Sequence, residues 1–356
     1  TASNMAAMES SDLVALTTSA IAVLNTAQVA ALAPEQIASL SSNQIAALNT
    51  DVIANGLNVD QIAALTTKQA AAFSSAQVAV LSNSQLAAME IEDLAAIKTS
   101  AIAVLSSTQV AALGIEQIAG LSTKQIAVLN TIAIANLSND QVVAITSSQA
   151  AALTTSQVVA LSSNSIAALE AIDFAALKTS AIAVLSSNQI NVLTDLQTIA
   201  MNTSQAAALS SSQITALSAA NVAALETSDL LALKTNTIAA LNSAQVAVLT
   251  IEQIASMSST QIAALNTDAI ANGLSNEQVM ALTTKQAAAL TTSQIAALSA
   301  SNIAALETAD LAALKTAAIA TLSSSQVAAL TEDQATALSA SQIAAFSPSS
   351  LAAMTV

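Results

Sequence analysis

The chain has 356 residues and a formal net charge of −15, with 54% hydrophobic residues but only 1% aromatic ones. It contains no His, Cys, Trp, Tyr or Arg, which removes the imidazole base, the thiolate nucleophile and the soft metal ligands. The acidic balance works against nucleic acid, which needs clustered Lys or Arg, and against anionic membrane surfaces. We therefore expect no catalytic, cofactor-binding or metal-binding residue, and no enzyme.

Residues Thr1 to Ala7 lack the basic segment and apolar core of a signal peptide. From Met8 onward an apolar residue returns every eight positions, as in Leu290-Thr-Thr-Ser-Gln-Ile-Ala-Ala followed by Leu298-Ser-Ala-Ser-Asn-Ile-Ala-Ala. The consensus is L-[ST]-x-x-Q-[IV]-A-A. Met354 lies 346 positions after Met8; less the two inserted glycines, Gly56 and Gly273, that makes 344 positions, or 43 octads. No linker interrupts the run, so residues 1–356 read as a single continuous array. Ser, Thr, Asn or Gln breaks every apolar stretch within a few residues, which excludes a helical membrane span. Zero cysteine suits the cytosol and many bacterial surface proteins alike.

A longer period overlies the octad. Glu occupies the second position at Glu9, Glu90, Glu170, Glu226 and Glu307, at spacings of 81, 80, 56 and 81. Asp stands three residues later each time, at Asp12, Asp93, Asp173, Asp229 and Asp310. In four cases a lysine follows one octad on: Glu90 with Lys98, Glu170 with Lys178, Glu226 with Lys234 and Glu307 with Lys315. The array reads as duplicated blocks of about ten octads with a recurring charged pair.

The octad suits neither a long helix nor a strand. Eight residues advance a helix by about two turns plus 80°, so the Leu/Ile stripe would wind around it. Gln-Ile-Ala-Ala-Leu lacks period-two alternation, and Ala is a poor strand former. The chain is too rich in large aliphatics for disorder. One short helix per octad fits. Ser or Thr at position two becomes the N-cap and Gln at position five becomes N3, the capping-box arrangement. Leu at position one and Ile or Val at position six form the hydrophobic staple. Pro34 and Pro348, the only prolines, then fall at N1, where proline is favoured. Asn55-Gly56 and Asn272-Gly273 fall where a left-handed C-cap would use one extra residue. Helices of five or six residues, about 8–9 Å long, are marginal alone and must stack. The expected fold is all-α, a solenoid of very short helices that alternate sides or wind two to four per turn around a Leu/Ile/Val/Ala spine.

Two resemblances follow from these residues. Leu137-Ser-Asn-Asp-Gln-Val-Val-Ala-Ile and Leu32-Ala-Pro-Glu-Gln-Ile-Ala-Ser-Leu resemble the opening segment of TAL effector repeats. In that family the segment begins a helix; the base-reading loop and second helix have no counterpart here, so DNA binding is not carried over. The whole chain is similar in style to the Ala/Ser/Thr-rich arrays of large bacterial secreted and surface proteins, which implies an extracellular stalk, adhesin or filament.

The Glu–Lys pairs are the most distinctive chemistry, read as inter-repeat or lateral ion pairs; the plainer reading is a solvated pair contributing about 0–1 kcal/mol. The carboxylates stand singly or in twos with no calcium-loop spacing, and the threonines form no regular lattice for ice or glycan. The array keeps its register to both ends of the sequence, which we read as copies stacking end to end or as a segment of something longer. The expected function is structural: a self-assembling rod, stalk or filament, extracellular or on the cell surface, with a cytoplasmic setting as the other option. The alternative is an α-solenoid that binds a peptide, protein or glycan along one face.

Overall fold

The computed structural model describes residues 1–354. Among them are 44 helices of four to seven residues and no strand, numbered in chain order from α1 (Ala2–Ala6) to α44 (Pro348–Ala352). The fold is all-α and solenoidal, with one helix to each octad.

Each helix starts and stops by local chemistry. Before α6 (Ser42–Ala47), Ser41 is extended, with φ −69° and ψ 156°, and its side chain accepts from the Gln44 N–H. Leu48 ends the helix in an extended conformation, φ −61° and ψ 132°, while its N–H donates to the Ile45 carbonyl. That bond tightens the last turn and occupies a carbonyl with no partner inside the helix. Pro34 opens α5 (Pro34–Ser39) and Pro348 opens α44, both at the helix start as the capping register requires.

Clustering of contacts separates two units, Thr1–Leu177 and a second beginning at Lys178. Within each, a helix packs on the third helix before it and the third after it. In the first unit α3 (Thr18–Ala22) packs on α6, α6 on α9 (Thr67–Ala70), α9 on α12 (Ile91–Ala96), and α12 on α15 (Ile115–Gly120). In the second, α26 (Thr203–Ala208) packs on α29 (Thr227–Ala232) and α29 on α32 (Ile251–Ser256); α36 (Thr284–Ala287) packs on α39 (Thr308–Ala312) and α39 on α42 (Glu332–Ala337). The winding therefore takes three octads per turn. Leu at position one marks the corner between successive helices. Corner and position-six side chains fill the interior: Ile45, Ile118 and Ile254 are fully buried, and Leu48, Leu121 and Met257 nearly so. Burying each such aliphatic side chain contributes about 1.5–3 kcal/mol.

The left-handed caps expected at Gly56 and Gly273 are corrected. Among the described residues none has a positive φ. Gly56 has φ −100° and ψ −34°, and Gly273 is the last residue of α34 (Thr267–Gly273). These glycines are needed for space. A Cβ on Gly56 would lie 2.7 Å from the Val52 carbonyl oxygen and 3.2 Å from Thr26 Cα. One on Gly273 would lie 2.8 Å from the Ser243 carbonyl oxygen and 3.0 Å from Val246 Cβ. Thr26 and Ser243 begin α4 (Thr26–Ala30) and α31 (Ser243–Ala247), each three helices earlier, so the extra residue fits only because the stacked backbone can come close. Gly114 has no such constraint, its nearest Cβ neighbour being 3.7 Å away. In thermal or denaturant unfolding, Gly56→Ala and Gly273→Ala are expected to cost about 1–3 kcal/mol each by overpacking. Gly114→Ala is expected to bring no such overpacking cost.

Candidate functional site

The recurring polar feature of the interior is the glutamine at position five. Gln44 shows the pattern. The Ser41 N–H donates to Gln44 Oε1 at 2.8 Å, and the Gln44 N–H donates to Ser41 Oγ at 3.3 Å. Its amide Nε2 then donates to the Leu16 carbonyl at 2.9 Å and the Leu13 carbonyl at 2.8 Å. Leu16 is the corner residue 28 positions back, three octads earlier. One side chain thus caps the start of its own helix and occupies carbonyls at the end of a helix in the turn below. Gln117, Gln213, Gln294 and Gln326 make the same corner bond, to Met89, Leu185, Leu265 and Leu298 at 3.0 Å or less. The capping half of this role is legible in the sequence; the second half is not, because its partners lie a full turn away.

Where the glutamine is replaced, another donor reaches the same corner carbonyl. Asn221 Nδ2 donates to Leu193 at 2.7 Å, Thr237 Oγ1 to Leu209 at 3.0 Å, and Ser350 Oγ to Leu322 at 3.0 Å. Where position five is apolar, as at Ala133 and Ala269, the N-cap asparagine takes over: Asn130 Nδ2 donates to Leu105 at 2.9 Å and Asn266 Nδ2 to Leu241 at 2.7 Å. In these octads the corner carbonyl receives a donor, whichever position supplies it.

The acidic octads break this rule. Glu9, Glu90, Glu170, Glu226 and Glu307 are all N-caps whose side chains make no capping hydrogen bond. Position five carries an aspartate, which accepts hydrogen bonds from a hydroxyl at the start of the helix below. Ser147 Oγ donates to Asp173 Oδ1 at 2.6 Å; the Thr67, Thr203 and Thr284 side chains bond Asp93, Asp229 and Asp310. Asp93, Asp229 and Asp310 are 1–2% exposed, and in each the second oxygen, Oδ2, is buried with no hydrogen-bond partner. Burial raises the pKa of all three. The threonine bond opposes the rise, and the neighbouring Glu90 with Glu92, Glu226 and Glu307 add to it. Asp12 is exposed.

Lys98, Lys178, Lys234 and Lys315 are the N-caps of the following helices, α13 (Thr99–Ile102), α23 (Thr179–Ile182), α30 (Thr235–Ile238) and α40 (Thr316–Ile319), again without a side-chain cap bond. Each is only four residues long. All four lysines and their glutamates Glu90, Glu170, Glu226 and Glu307 are exposed. Because stacking joins every third helix, Glu90 and Lys98 occupy successive sides of a turn and do not lie one above the other. Two open grooves adjoin the acidic octads. One, of about 580 Å³, is lined by Met89, Glu90, Ile91, Glu92 and Glu116; the other, of about 520 Å³, by Met280, Glu307, Thr308, Thr331 and Asp333. Among the described residues no group of three His, Cys, Asp or Glu is placed to hold a metal ion, and no helix is long and apolar enough to cross a membrane.

Comparison with known proteins finds a repeat array. The family model of the ALTTAQ repeat matches five times, at residues 5–42, 86–123, 166–203, 222–259 and 303–340, together 190 of 356 residues. Glu9, Glu90, Glu170, Glu226 and Glu307 each stand four residues after the first residue of a match. No curated protein matches the chain. Among solved structures, the chain is similar to the leucine-rich repeat-containing protein LegL7 from Legionella pneumophila, at 14% identity over 60% of this chain and 78% of that one. The TM-score is 0.19, a likeness from which nothing is carried over.

Cost at the corner is testable. Gln44→Ala removes two interior donors and the N-cap acceptor, and should destabilise by about 1–3 kcal/mol per carbonyl left without a partner. Gln61→Ala should cost less by about 1 kcal/mol, the net worth of one hydrogen bond, because its N-cap is Asn58, which can reach the corner as Asn130 does. Chemical denaturation of the two variants gives the comparison; equal losses would contradict the exchange of donors.

Proposed function

The chain belongs to the ALTTAQ repeat family, and on that premise we propose that it is a structural repeat protein, a rod, stalk or filament element working on the cell surface or outside the cell, and not an enzyme. The observation that carries this reading is the glutamine corner. The same bond from one turn to the last recurs from Gln44 to Gln342, with other donors taking over in some octads and the acidic octads departing from it. Such an array gains stability turn by turn from nearest neighbours, which suits a load-bearing element. Its polar chemistry is spent on holding the winding together. The exposed Glu and Lys caps, one set per block, are suited to lateral or end-to-end contact with further copies. We place no nucleic acid and no cofactor among its partners.

A binding module is the second reading, favoured by the acidic grooves beside Glu90 and Glu307, which suit a cationic segment of a protein partner. Small-angle scattering and negative-stain microscopy test the first. Deleting residues 90–169 joins Met89 to Glu170 in register and should shorten the particle in proportion, and raised concentration should lengthen it through end-to-end association. A globular particle whose longest dimension is indifferent to the deletion would overturn the structural reading.

A further inference from the structure

In the octads described above, the side chain at position five or the N-cap asparagine donates to a corner carbonyl three octads earlier. For Asp93, Asp229 and Asp310 the equivalent carbonyls, 28 residues back, are those of Leu65, Met201 and Leu282. An ionised carboxylate has no hydrogen to give. Its first oxygen takes the threonine hydroxyl; its second is buried and unpartnered, and a buried polar atom left so is costly. A neutral carboxylic acid removes the conflict. It still accepts from the threonine, and its own O–H becomes the missing donor.

We propose that Asp93, Asp229 and Asp310 are proton-binding joints, each taking a solvent proton on its second oxygen and donating it to the corner carbonyl of Leu65, Met201 or Leu282, so that acid tightens one turn in each of three blocks. The surroundings favour the neutral form. Asp93 has Glu90 and Glu92 on its own helix, Lys68 on α9, Glu116 on α15, Asp60 on α8 (Val59–Ala63) and Lys98 on the next helix. Asp229 has Glu226 beside it, an uncharged α26 below, Glu252 on α32, Asp195 on α25 (Asp195–Ala200) and Lys234 on the next helix. Asp310 has Glu307 beside it, Lys285 on α36, Glu332 and Asp333 on α42, Glu277 on α35 (Asn276–Met280) and Lys315 on the next helix. Lys68 and Lys285 stand on the helices below Asp93 and Asp310, whereas the helix below Asp229 carries no charge.

The sign follows from linkage. Burial sets these carboxyls above the ordinary aspartate value, so the folded chain binds the proton more tightly than the unfolded one. The resulting stability is fully present below the unfolded value of about 3.9 and is lost as pH rises through the folded value. The full chain labelled with 13C at its aspartate carboxyls tests this by NMR titration. Three resonances are expected to titrate above the rest, and to vanish together in the variant Asp93→Asn, Asp229→Asn, Asp310→Asn. Asparagine already fills this role at Asn221, so the variant should fold, and its melting temperature should change less than that of the parent as pH rises from below the unfolded value of about 3.9 to neutrality. A control carrying Asp51→Asn, Asp140→Asn and Asp268→Asn, all exposed positions, removes the same charge and should keep the parent's pH dependence. If all aspartates titrate together in the ordinary range, or if the control flattens the profile as much as the buried set, the proposal fails.

Discussion

The side-chain amide at octad position five holds this winding together. A helix of five or six residues is nearly all ends, since the first four N–H groups and last four carbonyls of any helix lack partners within it. The forty-four such helices among the described residues would expose a prohibitive number of such groups if each were left to itself. Gln44 answers for both ends at once: it completes the cap of its own helix and donates to carbonyls at the end of another, one turn below. The length of a glutamine matters here, because Oε1 must return to its own N-cap while Nε2 spans the gap between turns.

The packing depends on that spacing. Three octads bring each corner over the previous corner, so Leu at position one and Ile or Val at position six meet their own kind in the turn above and below. The small residues follow from the same closeness. Gly120 faces Ile91, where a Cβ would come within 2.2 Å of Ile91 Cγ2, so an isoleucine at the start of one helix is matched by a glycine at the end of the helix stacked on it. No helix could be stable alone, and the stack is the cooperative unit.

Against this regularity the acidic octads stand out as the places where a different demand is met. Replacing an amide by an aspartate keeps the acceptor and gives up the donor in the one interior position where a donor is wanted. Placing a glutamate at the N-cap gives up the capping bond as well. Both changes occur in the same octad, once per block, in register with the family's own repeat. That coincidence puts the chain's variable chemistry, on the surface and in the interior, at one recurring level of the winding.

The octad, its capping register, the N1 prolines and the block spacing were legible in the sequence. Their chemistry is local: Ser41 and Gln44 are three residues apart, and the rules of helix initiation apply to them whatever the rest of the chain does. The second role of the glutamine, the count of three octads per turn and the burial of Asp93, Asp229 and Asp310 were decided only in the tertiary structure. Each depends on residues 24 to 32 positions apart that no local pattern marks as neighbours. Gly56 shows the division most plainly. The sequence marked it as an inserted residue at a helix end and suggested a left-handed cap, but the constraint came from Thr26 on the helix beneath it, because stacking distance, and not backbone conformation, limits what can stand there.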